Sequence, residues 1–299
     1  MIRQTSPRRA LLVLALILFA SPLLTASDIG PTNGHLVVVG GAMKDPAIVE
    51  RFVTLAGGPE VPIVVIPTAG GGDHYDQYWT GLGSFKEAGA TKLTVLHTRD
   101  RAVADSEAFV KPIREARGVW FTGGRQWRLA DSYLNTRTHD ELRALLDRGG
   151  VIGGSSAGAT IQGSYLVRGD SKTNTIMMGD HEEGLSFLRN VGIDQHLLMR
   201  NRQHDMIEVI EAHPELLGIG LDEDTAIVVS GDSFEVIGQG YVAIYDNQRL
   251  VDSGGRFYFL APGDRYDMMA RQARRRTLSD EPFSRIEEKK WDYSKRDKR

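Results

Sequence analysis

Gly154-Ser155-Ser156-Ala157-Gly158 has the form Gly-x-Ser-x-Gly, the spacing of a nucleophile elbow. The apolar pair Val151-Ile152 precedes it and small, helix-compatible residues follow. The local reading is therefore strand, sharp turn, helix. A serine on such a turn sits on a strained backbone with its hydroxyl exposed above the sheet, and the flanking glycines leave room for the turn. The spacing selects Ser156, which has Gly154 and Gly158 around it, over Ser155, which has Gly153 but then Ala157. The Ala157 N–H would then point at an oxyanion developing on an attacked carbonyl. That chemistry is acyl transfer. Taken alone, the motif also fits a small-residue turn where a helix packs close to a strand, so its partners must be found elsewhere in the chain.

A serine nucleophile needs a base, an acid to orient that base, and oxyanion donors. The chain has eight histidines. His35 opens the first expected strand and falls at its amino end, away from a site at the carboxyl ends. His139 stands at an expected helix start, and His204 and His213 in an expected helical run. His74 and His97 follow the second and third strands and are minor candidates; His181 and His196 lie downstream of the elbow. His196 closes Val191-Gly192-Ile193-Asp194-Gln195-His196, a short strand with three polar side chains at its end. It is the favoured base, because adjacent polar groups orient a catalytic imidazole. For the acid, Asp222-Glu223-Asp224 interrupts the apolar runs Leu217 to Leu221 and Ala226 to Val229. Alternation along an extended chain aims Glu223 opposite to its two neighbours. A solvated turn is the ordinary fate of such acids, and Asp170, Asp180, Glu182 and Glu183 are rivals. Gly123-Gly124 can supply a second oxyanion donor, and Gln126 can reach a substrate.

These residues must be positioned by a sheet. Apolar runs at His35 to Val39, Val61 to Ile66, Leu93 to Leu96, Val119 to Phe121 and Val151-Ile152 read as strands. Between them, helices are expected at Asp45 to Leu55, Tyr75 to Ala88, Asp105 to Ala116, Arg125 to Leu134 and His139 to Arg148. Continuous apolar strands alternating with amphipathic helices predict a mostly parallel α/β sheet covered by helices on both faces. Ligands bind at the carboxyl ends of such strands, and the glycine loops at 40–41, 70–72, 123–124 and 153–154 all fall there. After about residue 215 short strands joined by tight turns predict a short antiparallel C-terminal extension, within the same sheet or as a small flanking one. No histidine follows His213, which argues against the α/β-hydrolase order, where the histidine comes last.

The chain of 299 residues carries a net charge of −3 and no cysteine. The first two values fit one large soluble domain and argue against nucleic-acid binding. The last removes disulfides, thiol nucleophiles and thiolate metal sites. Residues 1–26 read as a signal peptide. Arg3, Arg8 and Arg9 make a basic start, Ala10 to Ala20 is apolar, and Leu24-Thr25-Ala26 approximates a cleavage site. Residues 27–265 are expected to form one α/β domain, and 266–299 a polar, basic tail. The expected protein is secreted or periplasmic, with no stable membrane anchor after cleavage.

Four ordered motifs add a resemblance. Phe121-Thr122-Gly123-Gly124-Arg125-Gln126, Gly154 to Ala159, Ile193 to His196 with Arg200-Asn201-Arg202, and Gly218 to Ala226 together resemble the cyanophycinases of peptidase family S51. The likeness spans about residues 34–245. It implies a class I glutamine amidotransferase-like fold with Ser156 as nucleophile, His196 as base and Glu223 as acid. Gly124 and Ala157 would form the oxyanion hole. Gln126, Asp194, Gln195, Arg200 and Arg202 would line the substrate pocket. It implies hydrolysis of cyanophycin, a poly-aspartate chain bearing arginine on each β-carboxyl, to β-Asp-Arg dipeptides, without cofactor or metal. Relatives in the same family cleave Asp-X dipeptides. The chain departs from the family pattern at Arg125, where aspartate is usual, and at Gln203-His204-Asp205, where a further arginine is usual. These departures open a second reading, a peptidase for other acidic or isoaspartyl peptides. A non-catalytic binding protein on the same scaffold is a third, and a homodimer is left open as the assembly.

Overall fold

The computed structural model describes residues 28–247 and 255–276. The first half of the chain alternates strand and helix. Strand β1 (His35–Val39) is followed by α1 (Pro46–Ala56), β2 (Pro62–Ile66), α2 (Gly83–Glu87) and β3 (Lys92–Val95). Then come α3 (Arg101–Ala104), α4 (Glu107–Glu115), β4 (Gly118–Phe121), α5 (Gln126–Tyr133), α6 (Arg137–Asp147) and β5 (Val151–Ser155). The boundaries have local causes. Asp45 caps α1 by accepting the Ala47 N–H, Pro46 takes the first helical position, and left-handed Gly57 ends the helix. Ser106 caps α4 through the Phe109 N–H.

The second half begins with α7 (Ala157–Thr160), directly after the elbow serine. Strands β6 (Gly163–Tyr165) and β7 (Leu188–Gln195), helix α8 (Met206–Ala212) and strand β8 (Leu217–Leu221) follow. The chain closes with β9 (Thr225–Ser230), β10 (Ser233–Gly238), β11 (Val242–Tyr245), β12 (Tyr258–Leu260), β13 (Arg265–Asp267) and β14 (Gln272–Arg274). Among the described residues these strands make two sheets. One has the order β14-β13-β10-β9-β1-β5-β4-β2-β3, the other β12-β11-β8-β7-β6. From β1 to β3 the first sheet is parallel, and from β9 outward it is antiparallel. In the second sheet β6, β7 and β8 are parallel, and β11 and β12 antiparallel. The C-terminal strands thus both extend the main sheet and build a flanking one.

Alternation decides which face each residue serves. Val37 and Val39 of β1 pack with Phe52 of α1 and Phe85 of α2, while Leu36 and Val38 pack with the core under α4 to α6. That second core is shared with the inner face of the other sheet, through Val191, Ile193, Leu217, Ile219 and Ile244. The outer face of that sheet is covered by α8, where Met206, Val209 and Ile210 meet Val167 and Tyr245. The sheets therefore form two layers over one apolar interior, and the chain passes from the second to the first between Leu221 and Thr225.

Some expectations need correction. The helix expected over Tyr75 to Ala88 shrinks to α2 and one preceding 3-10 turn at Thr80–Leu82. Side chains hold the rest irregular: the Gly72 N–H donates to Tyr75 OH, and the Val95 N–H donates to Gln77 Oε1. The helix expected from Asp105 starts at Glu107. His139 lies within α6, and His204 lies in the turn before α8 rather than in a helix. The tail expected from 266 begins later, because Tyr266 and Met268 are fully buried and β13 and β14 pair through Arg274. The expected signal peptide and the rest of that tail fall outside the described residues.

Candidate active site

The elbow forms because nothing but glycine fits around it. A Cβ on Gly154 would lie 2.2 Å from the Gly158 carbonyl oxygen, and one on Gly158 2.2 Å from that of Phe121. Strand β5 and helix α7 approach this closely only with bare backbone at both positions. The turn puts Ser156 at φ 56° and ψ −113°, which a side chain adopts only when its surroundings enforce it. The enforcing bond is the Ser156 N–H to the Val39 carbonyl, 2.9 Å.

Strand register then delivers the partners. Strand β1 lies between β5 and β9, with Val39 level with both Ser155 and Ala226. In the second sheet Gln195 at the end of β7 is level with Leu221 at the end of β8. The residues immediately beyond these ends, His196 and Asp222 to Asp224, consequently meet over the carboxyl end of β1. The backbone of Gly40 and Gly41 fastens them: His196 N–H donates to Gly40 O and Asp224 N–H to Gly41 O. Gly41, at φ +138°, lies flat against the imidazole, and a Cβ there would stand 2.3 Å from His196 Cε1.

Ser156 Oγ is 2.9 Å from His196 Nε2, and His196 Nδ1 is 2.7 Å from Glu223 Oε1. An ionised carboxylate only accepts, so Nδ1 carries the proton and Nε2 is left as acceptor for the serine hydroxyl. His196 is 7% exposed. That burial, with the positive charges of Arg200 and Arg202, holds its proton affinity below that of an ordinary histidine, against the opposing pull of Glu223. That direction favours the neutral imidazole, the form that can accept the serine proton. Its own backbone is left-handed, at φ 55°.

The three acids divide their work. Asp222 Oδ1 accepts the Leu198 and Met199 N–H groups, Asp224 Oδ1 accepts those of Lys44 and Asp45, and Glu223 faces the imidazole. The rivals are occupied elsewhere. Asp170 caps the Lys172-Thr173 turn, Asp180 binds Ser171 and His181, and Glu182 accepts from Tyr165 OH. Glu183 is exposed, and its main chain forms an isolated antiparallel bridge with Tyr165. His181, held between Asp131 and Asp180, lines a separate cleft of about 310 Å³ that does not include Ser156. His97 is bonded to Thr68, His139 to the Leu185 carbonyl, and His74 is exposed.

Gly123 lies against the nucleophile, since a Cβ there would sit 3.3 Å from Ser156 Cβ. The Gly123–Gly124 peptide is thus beside Ser156, and Ala157, the next residue in the chain, opens α7. Gln126 is 1% exposed; its Nε2 donates to the Val167 and Arg168 carbonyls, and its Oε1 has no partner among the described residues. Arg125 donates to the Asp170 carbonyl and keeps an unpaired Nε. Arg202 donates to the carbonyl and side-chain oxygens of Gln195, and Arg200 is exposed beside the base. Asp194 differs from expectation. It is fully buried, and both its oxygens are taken by Arg168, at 2.7 and 2.9 Å. Arg168 itself gives no sequence signal: it is a single arginine in a loop, and its partners are distant in the chain.

The model of peptidase family S51 matches residues 36–237. The chain belongs to peptidase family S51. It is a serine-type peptidase, cyanophycinase-like in sequence. It is 32% identical over 266 residues to a cyanophycinase of Geminocystis herdmanii, covering 80% of this chain and 96% of that one. It is 31% identical over 267 residues to a cyanophycinase of Nostoc sp., covering 80% of this chain and 87% of the relative. The crystal structure of a peptidase from an acI-B1 Actinobacterium superposes with a TM-score of 0.58 at 23% identity, over 79% of this chain and 97% of that one. That last likeness concerns the fold, and the fold agrees: a mainly parallel core sheet with antiparallel C-terminal strands.

Proposed function

We propose that this S51 peptidase hydrolyses a cyanophycin-type polymer to β-Asp-Arg dipeptides, with Ser156 as nucleophile, His196 as base and Glu223 as the acid that orients it. The observation that carries the mechanism is the continuous bonding path from Ser156 Oγ through the imidazole to Glu223. Cyanophycinase relatives of nearly full length support the substrate. Ser156 Oγ attacks the peptide carbonyl carbon while its proton passes to His196 Nε2. The tetrahedral oxyanion is stabilised by the Gly124 and Ala157 N–H groups. Collapse breaks the C–N bond, and the leaving amine takes the proton from His196. Water, deprotonated by the same base, then releases the acyl group.

Ser156→Ala removes the attacking atom and should lower hydrolysis by on the order of 10⁴–10⁶ with the fold retained. The assay is dipeptide release from purified cyanophycin, alongside labelling of Ser156 by a fluorophosphonate. Turnover by the alanine variant would sink the mechanism. A second reading, cleavage of other acidic or isoaspartyl peptides, is favoured by Arg125. This half-buried guanidinium, held by the Asp170 carbonyl, adjoins the oxyanion loop, and its charge suits a carboxylate. Cleavage of Asp-X dipeptides with no release from cyanophycin would select it.

We also propose export, with residues 1–26 removed, because the substrate is a polymer and the N-terminal sequence has a signal-peptide pattern. Intact mass of protein from the periplasm or medium should begin near Ser27. Full-length protein confined to the cytoplasm would refute this.

A further inference from the structure

The base stands on a loop whose two ends are held by one guanidinium. Asp194, two residues before His196, receives Arg168 Nε and Nη2 at 2.7 and 2.9 Å. Asp205, nine residues after it, receives the same Nη2 at 2.6 Å. The third nitrogen, Nη1, donates to the Asn174 carbonyl at 3.1 Å. Between the two aspartates the chain reverses, with Arg202 N–H bonded to Leu197 O and Asp205 N–H to Arg202 O. The loop has no strand partner of its own from 196 to 204. Its start is held directly, by His196 N–H to Gly40 O, Leu197 N–H to Leu221 O and the Asp222 carboxylate, and Arg168 adds bonds at both ends.

Arg168 also reaches the other side of the site. Its carbonyl and that of Val167 accept the Gln126 side-chain amide, both at 2.8 Å. Gln126 is the first residue of α5, directly after the Gly123-Gly124-Arg125 turn beside Ser156. One residue thus touches the chain carrying the base and the chain carrying the oxyanion glycines.

The energetics fit a device for geometry. The Arg168 side chain is 2% exposed and that of Asp194 0%. Burial alone would lower the arginine's proton affinity, but Asp194 and Asp205 outweigh it and hold the charge firmly in place. A buried pair of this kind contributes little net stability compared with apolar packing, yet it permits one arrangement of its ends, because a planar fork and a carboxylate match in a single plane.

We propose that Arg168 is a positioning residue: by clamping Asp194 and Asp205 and accepting from Gln126, it fixes the His196 loop relative to the oxyanion loop. Asp194 then serves the base through Arg168 and does not contact substrate. The inference rests on the Ser156–His196–Glu223 reading, and the experiment separates the two. If wild-type protein neither hydrolyses substrate nor labels with a fluorophosphonate, the triad reading fails. If wild type does both, the variants judge Arg168.

Three variants are compared with wild type by fluorophosphonate labelling rate, kcat, KM and thermal unfolding. Asp194→Asn keeps the shape and weakens the clamp; kcat should fall at least tenfold with KM within about twofold. Arg168→Met with Asp194→Leu replaces the buried pair by apolar side chains, which a core of this kind tolerates. It should unfold near the wild-type temperature yet label at least tenfold more slowly. Asp205→Ala, at a half-exposed position, loses one of the three anchors and should label severalfold more slowly in a folded protein. A double variant that folds and labels at the wild-type rate would overturn the proposal, as would Asp194→Asn raising KM at unchanged kcat, the behaviour of a substrate contact. Should the double variant not fold, a wild-type labelling rate for Asp205→Ala overturns it equally.

Discussion

At His196, burial and charge pull in opposite directions, and the balance predicts how activity depends on pH. Burial and the nearby arginines lower the proton affinity, Glu223 raises it, and the net shift is downward. A base works only when unprotonated, so kcat/KM should fall as pH drops through this pKa, and the acid limb should lie below the usual histidine value of about 6.5. Glu223→Gln removes the upward pull. Its limb should move further toward acid while the plateau falls by on the order of 10⁴-fold. Identical limbs in a pH–rate comparison would assign that limb to another group. At this scale the sequence was unusually readable. Glycine spacing pointed to Ser156 and the polar end of an apolar strand to His196; alternation set Glu223 apart from Asp222 and Asp224 but left Asp170, Asp180, Glu182 and Glu183 as rivals, and only the family resemblance chose among them. Arg168 was not readable, because the meaning of a lone arginine lies in which distant carboxylates the fold brings to it.

Among the elements, the turn after β1 does the most for the site. It presents carbonyls to His196 and Asp224 and lays Gly41 against the imidazole. Gly41→Ala would push a methyl group into the ring, on a backbone conformation that side chains avoid. A displacement of about 1 Å costs roughly 10²-fold in rate, so kcat should fall by at least that factor while circular dichroism stays native. Wild-type kcat in that variant would mean the ring has room the packing does not show. The parallel strands were legible, since runs such as Leu36 to Val39 and Ile63 to Ile66 are apolar on both faces and bounded by glycine or proline. The segment from Tyr75 to Ala88 was not. Its apolar spacing suits a helix, but Tyr75 and Gln77 spend their side chains on the backbone of Gly72 and Val95, which an isolated pattern cannot reveal. The buried Tyr266 and Met268 were masked in the same way by the arginines around them.

Across the whole molecule, the α/β class followed from the alternation of strands and helices, and the division into two sheets did not, because short strands after residue 215 fit either sheet equally well. That division matters. Ser156 directly follows a strand of the first sheet, His196 directly follows a strand of the second, and Glu223 stands where the chain crosses between them. The residues of the proposed triad are therefore spread over two hydrogen-bond ladders that share one apolar interior. A partial opening along the seam would part serine from imidazole while each sheet kept its own ladder, and such sub-global openings lie below the free energy of complete unfolding. In a urea titration, peptidase activity and fluorophosphonate labelling should vanish at a lower concentration than far-ultraviolet ellipticity, and the His196 amide should exchange with solvent sooner than the amides inside β1. Coincident transitions would show the two sheets to be one cooperative unit. Separate transitions would instead reveal a partly opened form, reached by chaotrope or heat before unfolding, in which serine and imidazole are apart while both ladders persist.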